Sequence, residues 1–438
     1  MTQTVLNFTI EGTDEKLTPR SGEVLFGEYL RAIGVDKLCD SHLPLPQSNR
    51  GYTPYTFLQP LLLMLHSGGK SLEDLRVIRE DHAMRALLHI KKVPTASAMG
   101  KWFKRWGLMG IYGMERINRQ LLKRHLKRVD EPLVLDIDAS VIESHKSEAD
   151  YTYKMVPGYT PMIGHINGGY VIHSEFRSGN IAPADTNLEF VQRCIEQLPA
   201  TRRLSYLRAD SASYQHRLFD YCDRHGIIYT VGGHLDRRVW ENIREIKQWR
   251  SIRRYEGEGH HLQEEIAEFI HTMHESQNAF RMIVVKKKIT PMLPAFEAIL
   301  SEEETLRYAR EHYSVIATNS DADMEDIVRF YRQRADSSEN RIKELKNGFN
   351  LKYLPTSDFI ANAFYFQTGV LAYNLFILFR ETLQKSWQRH TIQTIRYKLY
   401  NIAGKVAIHS RQLKLRINEQ FLQILNAIRQ KCYLASLQ

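Results

Sequence analysis

Three acids in this sequence are of a type that could do metal chemistry. Asp138 lies at the end of the run EPLVLDIDAS (131–140), and Asp210 ends LSYLRAD (204–210). Glu339 sits in YRQRADSSENRIKELKNGF (331–349), which is dense in charge and reads as a helix. On that helix Glu339, Lys343 and Lys346 share a stripe, because side chains three or four residues apart are neighbours. Carboxylates gathered from separate elements suit a hard ion such as Mg²⁺, which takes oxygen ligands. Two such ions about 3.5–4 Å apart activate a nucleophile and stabilise a leaving oxygen, as phosphodiester cleavage and strand transfer require. Glu339 is read as the last of three metal-binding carboxylates, after Asp138 and Asp210. Taken singly, an aspartate at a strand end serves equally well as a cap or turn residue.

The elements around these acids suggest how they meet. The β-branched and leucine run before Asp138 reads as a buried strand with acids at its C-terminal end, a common ligand position in α/β sheets. Strands are expected at Thr160–Ile166 and Gly169–Phe176, joined at Asn167-Gly168, a strong hairpin signal. A helix follows at Asn187–Leu198, then the strand Leu204–Asp210, a helix at Tyr214–His225 and a strand at Gly226–Val231. Three strands, helix, strand, helix, strand is the order of an RNase H-like domain. The predicted fold class is therefore α/β: an RNase H-like mixed sheet with helices on both faces. Its first part spans 129–232, a mainly β insertion 233–320, and its second part 321–382.

Residues 1–128 read as a helical, DNA-binding domain, with Pro60 in the first turns of a helix at Tyr55–His66. VPTAS and MGKWFKRWG (93–107) suggest a turn and a helix carrying Lys101, Trp102, Lys104 and Arg105, similar to a helix-turn-helix reader. A small bundle with a basic face looks the same. Arg116–Arg128 reads as a basic amphipathic helix. The region 383–438 is rich in Lys and Arg with Glu419 as its lone acid, and Arg411, Lys414 and Arg416 cluster on an expected short strand at Gln412–Ile417. The whole chain of 438 residues carries a formal charge of +10, which favours an anionic partner, most commonly nucleic acid. Scattered Cys39, Cys194, Cys222 and Cys432 exclude a C-x-x-C zinc site or a disulfide framework and fit a reducing cytoplasm. The apolar run Ala361–Phe379 approaches membrane-spanning length, but Asn362, Gln367, Thr368 and Asn374 mark it as a buried helix.

Together LDIDAS (135–140), LRADSASY (207–214) and YRQR…SENRIKELKNGF (331–349) resemble DDE transposases of bacterial insertion sequences. The resemblance is to the branch with a Tyr-Arg-Glu-Lys signature, of the insertion-sequence thirteen-eighty type. ANAFYFQTGVLAYNLF (361–376) resembles the helix that follows that signature, and the likeness covers residues from about 17 to 430. It implies cut-and-paste transposition, with Mg²⁺ or Mn²⁺ as cofactor. Its implied partners are double-stranded DNA, as terminal inverted repeats and target, and a second subunit in a synaptic homodimer without a membrane. A cytoplasmic, nucleoid-associated protein follows. The resemblance places the acids at Asp138, Asp210 and Glu339, with Asp136 the alternative to Asp138. Tyr331, Arg334 and Lys346 fall on the signature, and Lys346 would hold a phosphate as a point charge.

The signature departs from the family at one place. Tyr331 to Glu339 is eight steps where the family has seven. The additional residue, at Ser337-Ser338, turns Tyr331 and Arg334 by roughly 100° from Glu339 in an ideal helix. A π-bulge, a non-helical joint capped by Asp336 or Ser337, or replacement of Arg334 by Arg332 would resolve it; a bulge or joint that retains Arg334 is favoured. The remaining alternative is an inactive protein. His165 and His173 are expected as sheet residues rather than ligands. Trp240 and Trp249 are expected to pack inside the insertion rather than stack on a flipped base, and Glu143 and Glu148 to be surface residues.

Overall fold

The computed structural model describes residues 5–6, 8–48, 50–127, 130–256, 260–274, 276, 278–289, 310–334, 338–410 and 412–437. The chain divides into two compact units, Met1–Ile117 with Glu344–Gln438, and Asn118–Lys343.

The second unit is mixed α/β, and its described residues form a nine-stranded sheet. In chain order its strands are β1 (Leu133–Ala139), β2 (Met162–His165), β3 (Val171–Glu175), β4 (Leu204–Ala209) and β5 (Ile228–Gly232), then β6 (Arg250–Glu256), β7 (His260–Thr272), β8 (Ala279–Ile289) and β9 (Arg310–Thr318). Across the sheet the order is β6-β7-β8-β9-β5-β4-β1-β2-β3. β1, β4 and β5 run parallel, β2 pairs antiparallel with β1, and β3 pairs antiparallel with β2 at the sheet edge. In β1 the pleat sends Leu133, Leu135 and Ile137 to one face and Asp136 and Asp138 to the other.

The strands of the mainly β insertion expected over 233–320 continue this same sheet. β9 pairs antiparallel with β5, β8 with β9, and β7 with β8. The reason is apolar: Ile252, Ile266, Ile283, Val285 and Ile316 from these strands pack in one cluster with Ile327 and Val328 of the helix Met324–Arg334. Met324 and Tyr331 of that helix lie against the cluster. The insertion thus forms the floor on which the signature helix rests.

The first unit is mainly helical, with a small sheet of Lys16–Thr18, Gly404–His409 and Gln412–Ile417. The helix Pro54–Ser67 begins at Pro54, so Pro60 lies in its middle rather than in its first turns. The helix expected to end at Gly107 does break there: within Ala96–Leu126 the backbone at Gly107 is non-helical, with φ 29° and ψ −113°, a φ that favours glycine, and a second helix follows the kink. Trp102 is buried and stacks on Phe57 with centroids 5.0 Å apart, while Lys101, Lys104 and Arg105 are exposed. The helix Phe359–Glu381 is buried along nearly its whole length. Its Asn362 is satisfied locally: its Oδ1 accepts from the Thr356 amide at 3.0 Å, and its Nδ2 donates to the Thr356 carbonyl at 3.0 Å. Among the described residues, no helix is long and apolar enough to cross a membrane.

Candidate active site

The site starts from a cross-strand pair. Asp136 of β1 and Arg208 of β4 are direct partners in the parallel ladder, and each stands two residues before an acid of interest. Arg208 grips Asp136 with both arms of its fork, Nε to Oδ1 at 2.7 Å and Nη2 to Oδ2 at 2.8 Å. Such bidentate contacts are the strong, geometrically specific ion pairs. Both residues are buried. Arg208 also donates from Nη1 to the Phe330 carbonyl at 2.8 Å and lies over the Phe330 ring at 4.6 Å. Arg341 Nη1 approaches Asp136 Oδ2 at 3.9 Å. Asp136, weighed in the sequence as an alternative ligand, is thus committed to holding two strands and the signature helix in register.

Two residues further along, Asp138 and Asp210 share a looser cation. Arg334 Nη2 lies 3.4 Å from Asp138 Oδ2 and 3.9 Å from Asp210 Oδ2. The Ser338 hydroxyl donates to Asp138 Oδ2 at 3.4 Å. Burial pushes the Asp138 carboxyl up to about 6; Arg334 and Ser338 oppose this, while the charges of Asp210 and Glu339 add to it. Asp210 also does ordinary turn work, since its Oδ1 accepts the Ala212 amide at 3.1 Å and caps the turn Ser211–Ser213.

Glu339 stands apart. Its side chain is 60% exposed and lies 3.8 Å from Lys343 Nζ, also an exposed group. Among the described residues, no group of three His, Cys, Asp or Glu side chains is gathered closely enough to hold a metal ion. Ser338 and Glu339 carry π-helical hydrogen bonding, the arrangement by which a helix absorbs one additional residue. The proposed cap at Asp336 or Ser337 lies outside the described residues. Arg332 faces Glu264, with Nη2 2.6 Å from Oε2, whereas Arg334 faces the aspartates. Tyr331 closes on Gly232, where a Cβ would meet its hydroxyl at 2.7 Å. A glycine there makes room for the tyrosine.

The remaining expected site residues are scattered. Lys346 lies in the π-helical segment Glu344–Gly348, in the first unit. Lys414 and Arg416 are exposed on the strand Gln412–Ile417, and Arg411 lies outside the described residues. His165 is fully buried, and burial with the Arg341 charge holds its imidazole well below the usual range. His173 pairs with Glu175 at 3.5 Å. Trp240 and Trp249 pack edge-on to Tyr313, and Lys286 covers the Trp249 ring at 4.4 Å. Glu143 and Glu148 are exposed. Sequence reasoning missed Arg208, Arg341 and Glu264. The first had a visible signal, because Arg208-Ala-Asp210 repeats the spacing of Asp136-Ile-Asp138.

For a divalent ion the fit is partial. Asp138 and Asp210 present hard oxygens at neighbouring strand ends and already share one cation, the Arg334 guanidinium, whereas Glu339 lies outside that pair. A search of curated proteins returned no match. The family described as transposase DDE domain group 1 matches residues 3–430, nearly the whole of the chain, and the protein belongs to that family.

Proposed function

We propose that the protein is a cut-and-paste DNA transposase of the insertion-sequence thirteen-eighty type, acting through an RNase H-like core. In this reading it binds terminal inverted repeats, cleaves at the element's end and joins the freed 3′ hydroxyl to target DNA within a homodimer. The observation that carries it is the sharing of one guanidinium by Asp138 and Asp210 at the ends of adjacent parallel strands. The strand order β3-β2-β1-β4-β5, with β2 antiparallel, supports the RNase H-like assignment.

Asp138 and Asp210 would hold Mg²⁺ or Mn²⁺, with Glu339 as the third carboxylate. The chemistry these residues would gain from such an ion is a lowered pKa for bound water and a stabilised leaving oxygen. The protein's own residues prepare the site. Arg208 and Asp136 fix the strand register, and β1 partly buries Asp138 away from water. Arg334 lies against both acids and offsets their charge, and would turn to a DNA phosphate where a divalent ion takes its place. Tyr331, Lys343 and Lys346 would hold the backbone beside the scissile bond, and Lys101, Lys104, Arg105, Arg411, Lys414 and Arg416 would hold flanking DNA. The test is nicking, in Mg²⁺, of the DNA that flanks the gene, where this reading expects a pair of inverted repeats. Asp210→Ala should lose nicking and keep DNA binding; Mg²⁺-dependent cleavage by that variant refutes the assignment.

A second reading rests on the position of Glu339, which pairs with Lys343 and not with the aspartates. It is a sequence-specific DNA-binding protein derived from such an enzyme and without cleavage activity. Binding of the repeats without any nicking by the wild type selects it.

A further inference from the structure

A cleft of about 550 Å³ opens beside Asp210. Its lining includes Gly233, Lys287, His312, Tyr331 and Arg332. The wall formed by β8, β9 and the signature helix is backed by a buried charge on β7. Glu264 of β7 has a fully buried side chain and stands directly opposite Lys287 of β8 in the ladder. Its Oε1 lies 3.3 Å from Lys287 Nζ and its Oε2 lies 2.6 Å from Arg332 Nη2. A carboxylate taken wholly out of water is costly unless cations and hydrogen bonds replace its hydration. Here two cations do so, and both keep about a quarter of their side-chain surface exposed, at 26% and 28%.

The charge balance of this cluster points outward. One buried carboxylate and two cations leave a net charge of about +1, fixed on a rigid strand and a packed helix. Both cations line the same cleft as Asp210. Glu264 restrains the two long side chains, so less rotamer entropy remains to be lost when an anion binds. We propose that Lys287 and Arg332, held by Glu264, form a subsite for one phosphodiester of the DNA strand that lies beside Asp210. The subsite rests on the DNA-transposase reading above and assigns the insertion a part in it: β8 delivers a backbone contact to the cleft next to the acid. Arg332 thereby serves DNA from a different position than Arg334, and the two arginines of the signature helix divide between cleft and acids.

The experiment measures binding of a fluorescein-labelled, blunt DNA duplex in EDTA over a range of salt concentrations. Blunt ends let a strand terminus enter the cleft, and EDTA removes cleavage from the readout. Each phosphate contact contributes about 0.7–0.9 to the slope of log affinity against log salt. Lys287→Gln and Arg332→Gln are each expected to flatten the slope by about that amount. Lys287→Arg and Arg332→Lys keep the charge and should keep the wild-type slope. Lys287→Gln leaves Glu264 paired with Arg332 at 2.6 Å, so the buried carboxylate retains a cation and the fold its support. Wild-type slopes in both glutamine variants overturn the subsite. If the wild type still nicks inverted-repeat DNA in Mg²⁺, the function stands and only the subsite falls. A wild type that neither binds nor nicks DNA overturns both.

Discussion

Two ionic clusters lie two residues apart on the same pair of strands, and they differ in almost every physical respect. Asp136 and Arg208 meet in a bidentate contact at 2.7 and 2.8 Å, with side chains 2% and 7% exposed. Asp138, Arg334 and Asp210 meet at 3.4 and 3.9 Å, with side chains 17%, 12% and 43% exposed. The first cluster has its charges matched and its geometry closed. The second has two carboxylates on one monodentate cation, and its partner comes from a helix rather than a neighbouring strand. One step of the pleat thus separates a closed, buried pair from a looser, more exposed one. Pre-organised scaffolds behind adjustable ligands are what charged catalysis requires.

The largest expected effect breaks the open cluster. Asp138→Ala or Asp210→Ala should reduce nicking of inverted-repeat DNA by on the order of a thousandfold or more. Thermal stability should change little for Asp210, which is 43% exposed, and binding of uncut DNA should persist. Equal loss of binding and nicking would mean that the acids serve folding instead.

Breaking the closed pair should act the other way round, through stability first. Arg208→Met leaves Asp136 buried with its bidentate partner gone, a loss of about 3–5 kcal/mol. For a unit of this size the melting temperature should fall by on the order of 10 °C. The double variant Asp136→Leu/Arg208→Met removes both buried charges and should recover much of that stability, because the remaining cation near the pair, Arg341, is partly exposed to water. Recovered stability without recovered nicking identifies the pair as positioning residues. Recovery of both would show that only packing matters at this point.

How far the sequence showed this contrast depends on the kind of signal. Apolar alternation through Leu133, Leu135 and Ile137, and the Asn167-Gly168 turn, carried enough local information to mark β1, β2 and β3. Spacing also marked the departure between Tyr331 and Glu339, because a helical stripe is arithmetic. What spacing does not hold is pairing across the sheet. Arg208 opposite Asp136, or Lys287 opposite Glu264, depends on strand order and register, which are set by long-range apolar packing. The insertion was harder still: its strands read as mainly β, but nothing local says that β9 will pair with β5.

A third buried carboxylate, in the other unit, sharpens what a bidentate arginine supplies. Glu23 is fully buried; its Oε2 accepts from the Ser67 hydroxyl at 2.6 Å, and Arg20 Nε lies 3.8 Å away. Burial raises its carboxyl from 4.5 to about 7, against the pull of Ser67, Arg20 and Arg396. The folded protein therefore keeps a proton that the unfolded chain has already released. Stability should fall as pH rises from about 4.5 to about 7 and level off on either side, with a total of about 3 kcal/mol. Glu23→Gln should flatten that slope in urea titrations across the window. An unchanged slope in the variant would assign the pH dependence to other groups.

The smallest expected effect lies at the exposed end of the series. Lys343 and Glu339 are 66% and 60% exposed and 3.8 Å apart, an i,i+4 pair on the surface. Such a pair contributes little to folding, so Lys343→Gln should shift stability by less than about 0.5 kcal/mol. Its electrostatic partner in the proposed reaction is DNA, not Glu339. The slope of log affinity against log salt should then flatten by about 0.9 if Lys343 neutralises a phosphate. Freed of its lysine, Glu339 should also become the easier carboxylate for a cation to recruit, and Mn²⁺ affinity measured by electron paramagnetic resonance should rise rather than fall. Weaker Mn²⁺ binding with an unaltered salt slope would place Lys343 with the closed pair, as a residue that holds Glu339 in position, and not with the DNA.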